Sequence, residues 1–315
     1  MFLSTLGLNE DERQQLEKLI TVPVVHKKIK DMSQEELSQV EAVFSYGYDL
    51  PEPVMTDMKN LKWIHIGQSG MEYLPAETIK NRGIFLTNSR GLNATNISEH
   101  ILTVMLNHVR KTWIYRSKQE NREWDSDTRM GELRDSSVAV LGLGMAGKEV
   151  VKRCLAFDMN VYGMDVYNPQ IPGIIEVFTP DRVKEIISIA DFVVLTMPLT
   201  KSTYHIINDD SLSVAKPNLF LINTGRGGLV DIEALKKAIK ENKISGASLD
   251  VFDKEPLGKE SELWNFDPRL EITPHIAGDH FTAYGKRMIQ IMSENINSYP
   301  CFDKMINKVN VDSLL

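Results

Sequence analysis

Short apolar runs alternate with polar stretches of helical periodicity along almost the whole chain. In the first ninety residues the apolar runs are Phe2 to Leu6, Val22 to His26, Ala42 to Tyr46, Trp63 to Gly67 and Ile84 to Thr87. Helical patterns lie between them at Asp11 to Ile20, Gln34 to Gln39 and Pro53 to Asn60. Such alternation predicts a parallel sheet with helices on both faces. Asn88 to Thr95 is polar and turn-rich, so it reads as a hinge. A long helix is expected from Ile97 towards Lys118, with Ile101, Val104, Met105, Leu106 and Val109 in phase. Gln119 to Glu132 is polar but carries Trp124, and reads as an exposed arm.

A second alternating block follows. Its strands are expected at Ser137 to Leu141, Asn160 to Met164, Phe192 to Thr196, Leu219 to Asn223, Ala247 to Val251 and Leu270 to Thr273. Helices are expected at Lys148 to Ala156, Asp181 to Ile189, Ile232 to Lys240 and, in the tail, Tyr284 to Tyr299. The pattern predicts an α/β protein of two doubly wound, parallel-sheet (Rossmann-like) domains. One is expected to be flavodoxin-like, over residues 1–94 plus 284–315. The other spans residues 95–283.

Bulk properties narrow the function. The 315 residues are 42% hydrophobic and 25% charged, ordinary for two globular domains. The net charge of −7, without a basic block, argues against nucleic acid or an anionic membrane as partner. Cys154 and Cys301 have no C-x-x-C partner, so neither a disulfide scaffold nor a thiolate metal site is expected. The first residues turn acidic at Glu10 and lack a positive start, unlike a signal peptide. No apolar run reaches membrane-spanning length. A cytoplasmic protein without metal is expected.

The chemistry-bearing signals begin at Ser137-Val-Ala-Val-Leu-Gly-Leu-Gly-Met-Ala-Gly147. A strand runs into Gly142, Gly144 and Gly147 in G-x-G-x-x-G spacing, and a helix follows. Gly142 permits the tight turn, Gly144 lets a pyrophosphate approach the backbone, and Gly147 lets helix and strand pack closely. The helix N-terminus offers free N–H groups to phosphate. Asp165 ends the next strand, where a carboxylate would accept hydrogen bonds from a ribose. A glycine-rich turn beside a surface aspartate is the bland alternative. Three further motifs end later strands: Asn223-Thr-Gly-Arg-Gly-Gly-Leu-Val-Asp231, Leu249-Asp-Val-Phe-Asp-Lys-Glu-Pro256 and Thr273-Pro-His-Ile-Ala-Gly278. Arg226 suits bidentate carboxylate binding. His275 points into the expected cleft, although a lone histidine is more often structural.

In this order the fingerprint, Asp165, Arg226, Glu255 and His275 resemble the D-isomer-specific 2-hydroxyacid dehydrogenase family. The resemblance is strong from Asn88 to Gly278, including Asn93 to His100 and Pro198 to Thr203, and weaker in the first sixty residues. It implies an NAD-dependent oxidoreductase moving hydride between cofactor and a small 2-oxo or D-2-hydroxy acid in an interdomain cleft. It implies that Arg226 binds the substrate carboxylate, that His275 is acid and base, and that Glu255 orients and tunes it. Cofactor contacts are implied at Gly142, Leu143, Gly144, Met145, Ala146, Gly147, Asp165, Pro198, Thr203, Thr224, Gly225, Asp250, His275 and Gly278. Substrate contacts are implied at Ser69, Gly70 and Met71, besides Arg226 and His275. The run Gln68-Ser-Gly-Met-Glu72 departs from the smaller residues common in the family, so Met71 is expected to reshape the pocket. His275 is preferred over His280 for its Thr-Pro-His-Ile-Ala-Gly setting. His26, His65, His100, His108 and His205 are read as structural or surface residues. Asp165 favours NAD over NADP by repelling a 2′-phosphate. The family implies a homodimer, expected through Ile97 to Trp124. Two other functions stay open: an NAD(H)-sensing, corepressor-like binding protein, and a formate dehydrogenase-like enzyme.

Overall fold

The computed structural model describes residues 1–68, 70–71, 73–278 and 284–314. Ser69, Glu72 and His280 therefore lie outside the described residues. The chain begins β1 (Phe2–Ser4), α1 (Glu10–Leu19), β2 (Val24–His26), α2 (Gln34–Ser38), β3 (Ala42–Ser45) and α3 (Glu52–Asp57). It continues through β4 (Trp63–Ile66), α4 (Ala76–Asn81), β5 (Phe85–Asn88), α5 (Ala94–Arg110) and α6 (Thr112–Glu120). Then come β6 (Ser137–Leu141), α7 (Met145–Ala156), β7 (Asn160–Met164), β8 (Ile174–Phe178), α8 (Val183–Ile189) and β9 (Phe192–Leu195). The last elements are α9 (Asp209–Leu212), β10 (Phe220–Asn223), α10 (Ile232–Lys240), β11 (Gly246–Leu249), β12 (Leu270–Ile272) and α11 (Tyr284–Ser298).

The chain divides into two compact units, Met1–Leu92 with Phe281–Leu315, and Asn93–His280. In the first unit a five-stranded parallel sheet has the order β2-β1-β3-β4-β5, the flavodoxin-like arrangement. Strand residues alternate between its faces, so two apolar layers form. Leu3, Val43, Ile64 and Leu86 point to one, and Phe2, Phe44 and Trp63 to the other, where α11 packs through Met288, Met292 and Ile296. A capping box starts α1: Asn9 accepts from the Glu12 N–H and Glu12 accepts from the Asn9 N–H.

In the second unit a seven-stranded parallel sheet has the order β12-β11-β10-β9-β6-β7-β8. The order reverses between β6 and β9, which is the switch point where open α/β sheets bind ligands. Two departures from the sequence expectation stand out. β8 is a seventh strand where six were expected; it lies at the sheet edge, and only Phe178 of its residues is buried. The long helix from Ile97 is two helices, because Lys111 takes a left-handed backbone (φ 52°) that ends α5 and starts α6.

Candidate active site

β6 leads directly into the fingerprint. Gly142 has φ 99°, and a Cβ there would lie 2.7 Å from the Met197 nitrogen. A Cβ on Gly147 would lie 1.9 Å from the Gly142 carbonyl oxygen, so helix and strand approach as only glycine allows. Gly144, by contrast, has open space around its Cβ position and caps α7 with no side-chain hydrogen bond. The first N–H groups of α7 are thus left uncapped beside free space, which fits a pyrophosphate. Leu143 is buried, whereas Met145 is half exposed. Ala146 occupies the first turn of α7.

Asp165 follows β7 and is fixed from two sides. Its Oδ2 accepts from the Leu143 N–H at 2.8 Å, and its Oδ1 accepts from the Tyr167 N–H at 3.1 Å. The carboxylate is thereby placed beside the glycine turn, with lone pairs left for two sugar hydroxyls.

The loops after β9 and β10 pin the same edge. Thr196 donates to the Gly142 carbonyl at 2.8 Å. Thr203 is buried within its own turn, accepting from the Thr200 N–H at 2.7 Å and donating to the Pro198 carbonyl at 2.9 Å. Asn223 shapes the arginine loop: its Oδ1 accepts from the Gly225 N–H at 3.1 Å and its Nδ2 donates to the Arg226 carbonyl at 2.9 Å. Thr224 N–H and hydroxyl both donate to the Leu195 carbonyl. Arg226 Nη1 donates to the Gly225 carbonyl at 2.8 Å. A Cβ on Gly227 would lie 2.1 Å from the Phe252 carbonyl carbon, so the arginine loop rests on the segment that carries Glu255.

Glu255 and His275 form a pair. His275 Nδ1 lies 2.6 Å from Glu255 Oε2, and Glu255 Oε1 accepts from the Phe252 N–H at 2.9 Å. An ionised carboxylate can only accept, so this contact suits a tautomer with the proton on Nδ1, and Nε2 lies outside the pair. The His275 side chain is 50% exposed and its backbone is left-handed (φ 55°). Asp250 is 1% exposed and holds this turn: its carboxylate accepts from Thr273 Oγ1 and from the N–H groups of Ile276 and Ala277. Gly278 closes the turn against Asn93, whose buried Oδ1 has no hydrogen-bond partner among the described residues.

The structure thus gathers Gly142, Gly144, Gly147, Asp165, Thr224, Gly225, Arg226, Asp250, Glu255, His275 and Gly278 at the C-terminal edge of one sheet. The loop after β4 belongs to the first unit. There Met71 is buried against Asn88, and the Tyr73 hydroxyl donates to the Gly70 carbonyl at 3.0 Å. The sequence reading missed Thr196, Asn223 and Thr273, small polar residues whose one signal is a position at the end of a strand or just after it. His100, read from the sequence as a structural or surface residue, has its Nε2 buried without a partner among the described residues. Burial lowers the pKa of that imidazole, and the Asp250 charge acts against the shift. No group of residues able to hold a metal ion occurs among the described residues, and no helix among them is long and apolar enough to cross a membrane.

Comparison with known proteins gives this arrangement its kinship. A glyoxylate reductase of Thermofilum pendens is 33% identical over 249 residues, 77% of this chain and 73% of that protein. A hydroxypyruvate reductase of Thermotoga maritima is 34% identical over 240 residues, 74% of this chain and 75% of that protein. A D-3-phosphoglycerate dehydrogenase of Methanocaldococcus jannaschii is 33% identical over 276 residues, 87% of this chain; the match spans only about half (52%) of that protein's length. A solved structure of a D-isomer specific 2-hydroxyacid dehydrogenase family protein from Aeromonas salmonicida shares the fold. Its TM-score is 0.86 at 24% identity, covering 99% of both chains. Residues 102–277 match the model of the NAD binding domain of D-isomer specific 2-hydroxyacid dehydrogenases, and the chain belongs to that family.

Proposed function

We propose that the protein is an NAD-dependent reductase of small 2-oxo acids, working in reverse as a D-2-hydroxyacid dehydrogenase. The observation that carries this is the 2.6 Å pair of His275 Nδ1 with Glu255, at the sheet edge that also carries Arg226. NAD, when bound, supplies or takes the hydride. Its pyrophosphate is assigned to the uncapped turn at Gly144 to Gly147, and its adenosine ribose to Asp165. Pro198, Thr203, Thr224, Gly225, Asp250 and Gly278 are kept as cofactor-facing positions on the family resemblance.

Arg226 binds the substrate carboxylate through its planar fork and polarises the neighbouring carbonyl. His275 gives a proton from Nε2 to the oxygen that gains charge on reduction, and takes it back on oxidation. Glu255 keeps Nδ1 protonated and offsets the imidazolium charge that forms when Nε2 is protonated. Positioned acid–base work of this kind contributes about 10²–10⁴-fold in rate. Gly70 and Met71 are kept as substrate-facing residues, also on the family resemblance.

The Asp165 carboxylate would repel a 2′-phosphate, so NADH is the proposed partner rather than NADPH. Assembly is proposed as a homodimer through the segment Ile97 to Trp124. Trp124 is 98% exposed on an arm held in shape by Asp125, which accepts from the Asp127 and Thr128 N–H groups. An exposed tryptophan on an ordered loop is a typical anchor for a partner surface. Sedimentation at micromolar concentration should show a dimer that Trp124→Ala weakens; a monomer in the unsubstituted protein contradicts this assembly.

The test of function follows NADH loss at 340 nm (the nicotinamide absorbance) with glyoxylate, hydroxypyruvate, pyruvate and phenylpyruvate. Turnover with at least one acid, and faster with NADH than NADPH, is expected. Tight NADH binding with no turnover on any of them would instead favour a cofactor-sensing protein.

A further inference from the structure

In the first unit, polar contacts centred on Tyr73 tie the loop after β4 to the loop after β3. The Tyr73 ring lies against Gly47, where φ is 94° and a Cβ would meet Tyr73 Cε2 at 2.6 Å. The ring thus takes the space that a side chain at position 47 would need. Tyr48 stacks on the ring, with centroids 4.3 Å apart and planes at 28°. The Gln68 amide donates to the Tyr73 hydroxyl, and to the Tyr46 carbonyl at 3.2 Å. The hydroxyl accepts that bond and turns its own proton to the Tyr46 and Gly70 carbonyls, the latter at 3.0 Å. Next to it, the Leu74 N–H donates to the Met71 carbonyl at 3.1 Å. The Met71 side chain is 8% exposed and belongs to the apolar layer that holds Ile66 and Leu74. What Met71 offers a ligand is therefore its backbone.

A peptide unit is planar and, in its trans form, the N–H points away from the carbonyl. Holding the Gly70 carbonyl therefore sets the direction of the Met71 N–H. We infer that Tyr73, supported by Gln68, is a positioning residue for substrate binding: it fixes the Gly70–Met71 peptide so that the Met71 N–H meets the substrate carboxylate. The inference rests on the proposed place of Gly70 and Met71 facing the 2-oxo acid. An N–H donating to a carboxylate makes a charge-assisted hydrogen bond, and its strength depends on alignment. Glycine accepts both halves of the φ range, so a peptide beside Gly70 turns readily unless it is held. Tyr73 supplies that hold. The carboxylate is carried unchanged through hydride transfer, so this contact strengthens binding of the acid and leaves the chemical step as it was.

The experiment uses the full chain with Tyr73→Phe and Tyr48→Phe, each checked by circular dichroism and thermal melting. Each is assayed for kcat and KM on the acid of the panel that the unsubstituted protein reduces fastest. Oxamate, an unreactive carboxylate mimic of a 2-oxo acid, is titrated by fluorescence into the NADH complex, and NADH affinity is measured separately. Tyr73→Phe keeps the stacked ring and loses only the hydroxyl. It should raise KM and the oxamate Kd about fivefold, the scale of one hydrogen bond, while kcat and NADH affinity stay within about twofold. Tyr48→Phe loses the neighbouring hydroxyl, 3.4 Å from the Gln68 amide, and should leave every value within about twofold. An unchanged KM or an unchanged oxamate Kd in Tyr73→Phe overturns the inference. So does a loss confined to kcat, and so does an equal rise in Tyr48→Phe, which would mean a general loosening of the cluster. Failure of the proposed function looks different: the unsubstituted protein then turns over no acid of the panel, and the inference falls with it. Turnover by the unsubstituted protein with KM unmoved in Tyr73→Phe removes the positioning inference alone.

Discussion

Single residues make the sharpest demands on this structure. Gly147 has the least freedom of the fingerprint positions, since any Cβ would meet the Gly142 oxygen at 1.9 Å. Gly147→Ala should therefore push α7 from β6 and weaken NADH binding at least about tenfold, the 1.4 kcal/mol that a strained contact readily costs. Fluorescence titration measures this, and unaltered affinity would contradict the close-approach account. Arg226→Lys should lose the planar fork and raise KM for 2-oxo acids about tenfold or more while NADH affinity holds. The carboxylate role fails if KM is unmoved. Two histidines outside the site set a pH dependence of stability. Burial lowers His65 to about 3 and His108 to about 4. Both stay neutral in the folded state while the unfolded chain takes up protons near pH 6.5. Their stabilisation is present above that pH and is lost as the pH falls towards the folded values, at up to about 1.4 kcal/mol per unit for each. Urea midpoints should fall steadily from pH 7 to pH 5, and His65→Gln should flatten that slope. An unchanged slope would remove His65 from the explanation.

At the scale of elements, most of the alternation was legible because β1, β3, β4, β9, β10 and β11 are buried throughout and the longer helices are amphipathic. β6, β7 and α10 coincide with their expected bounds. The misses have physical causes. β8 is an edge strand with exposed Ile175 and Glu176, so it shows neither a continuous apolar run nor clean alternation. α4 is a six-residue helix, too short for a periodicity to register. The break between α5 and α6 falls at a lysine, not at glycine or proline, so no punctuation marks it. That break yields a prediction. Lys111→Gly relieves the left-handed strain, partly offset by the greater freedom of glycine in the unfolded chain, and should stabilise the protein by about 0.5–1 kcal/mol. Thermal melting would register this as a rise in Tm; a fall would show that the lysine side chain contributes more than the strain costs.

At the scale of the molecule, the sheet carrying the fingerprint is what gives the site residues a common place. The glycines, Asp165, Arg226, Glu255 and His275 were singled out by motif order and family resemblance, and all follow strands of this one sheet. The supporting residues Thr196, Asn223 and Thr273 were not legible, since Thr196 and Thr273 bond groups distant in sequence, the Gly142 carbonyl and the Asp250 carboxylate, and Asn223 acts through the shape of its own loop. Family membership follows from the whole arrangement, whereas the particular 2-oxo acid is a matter for assay. The most direct measurement of the central claim compares the unsubstituted protein with His275→Ala in one experiment: NADH oxidation across the 2-oxo acid panel, with NADH affinity titrated alongside. The account predicts turnover of at least one acid by the unsubstituted protein, a loss of at least about 100-fold in His275→Ala, and NADH affinity alike in both. Turnover that survives in His275→Ala, or none in the unsubstituted protein with any acid of the panel, would contradict it.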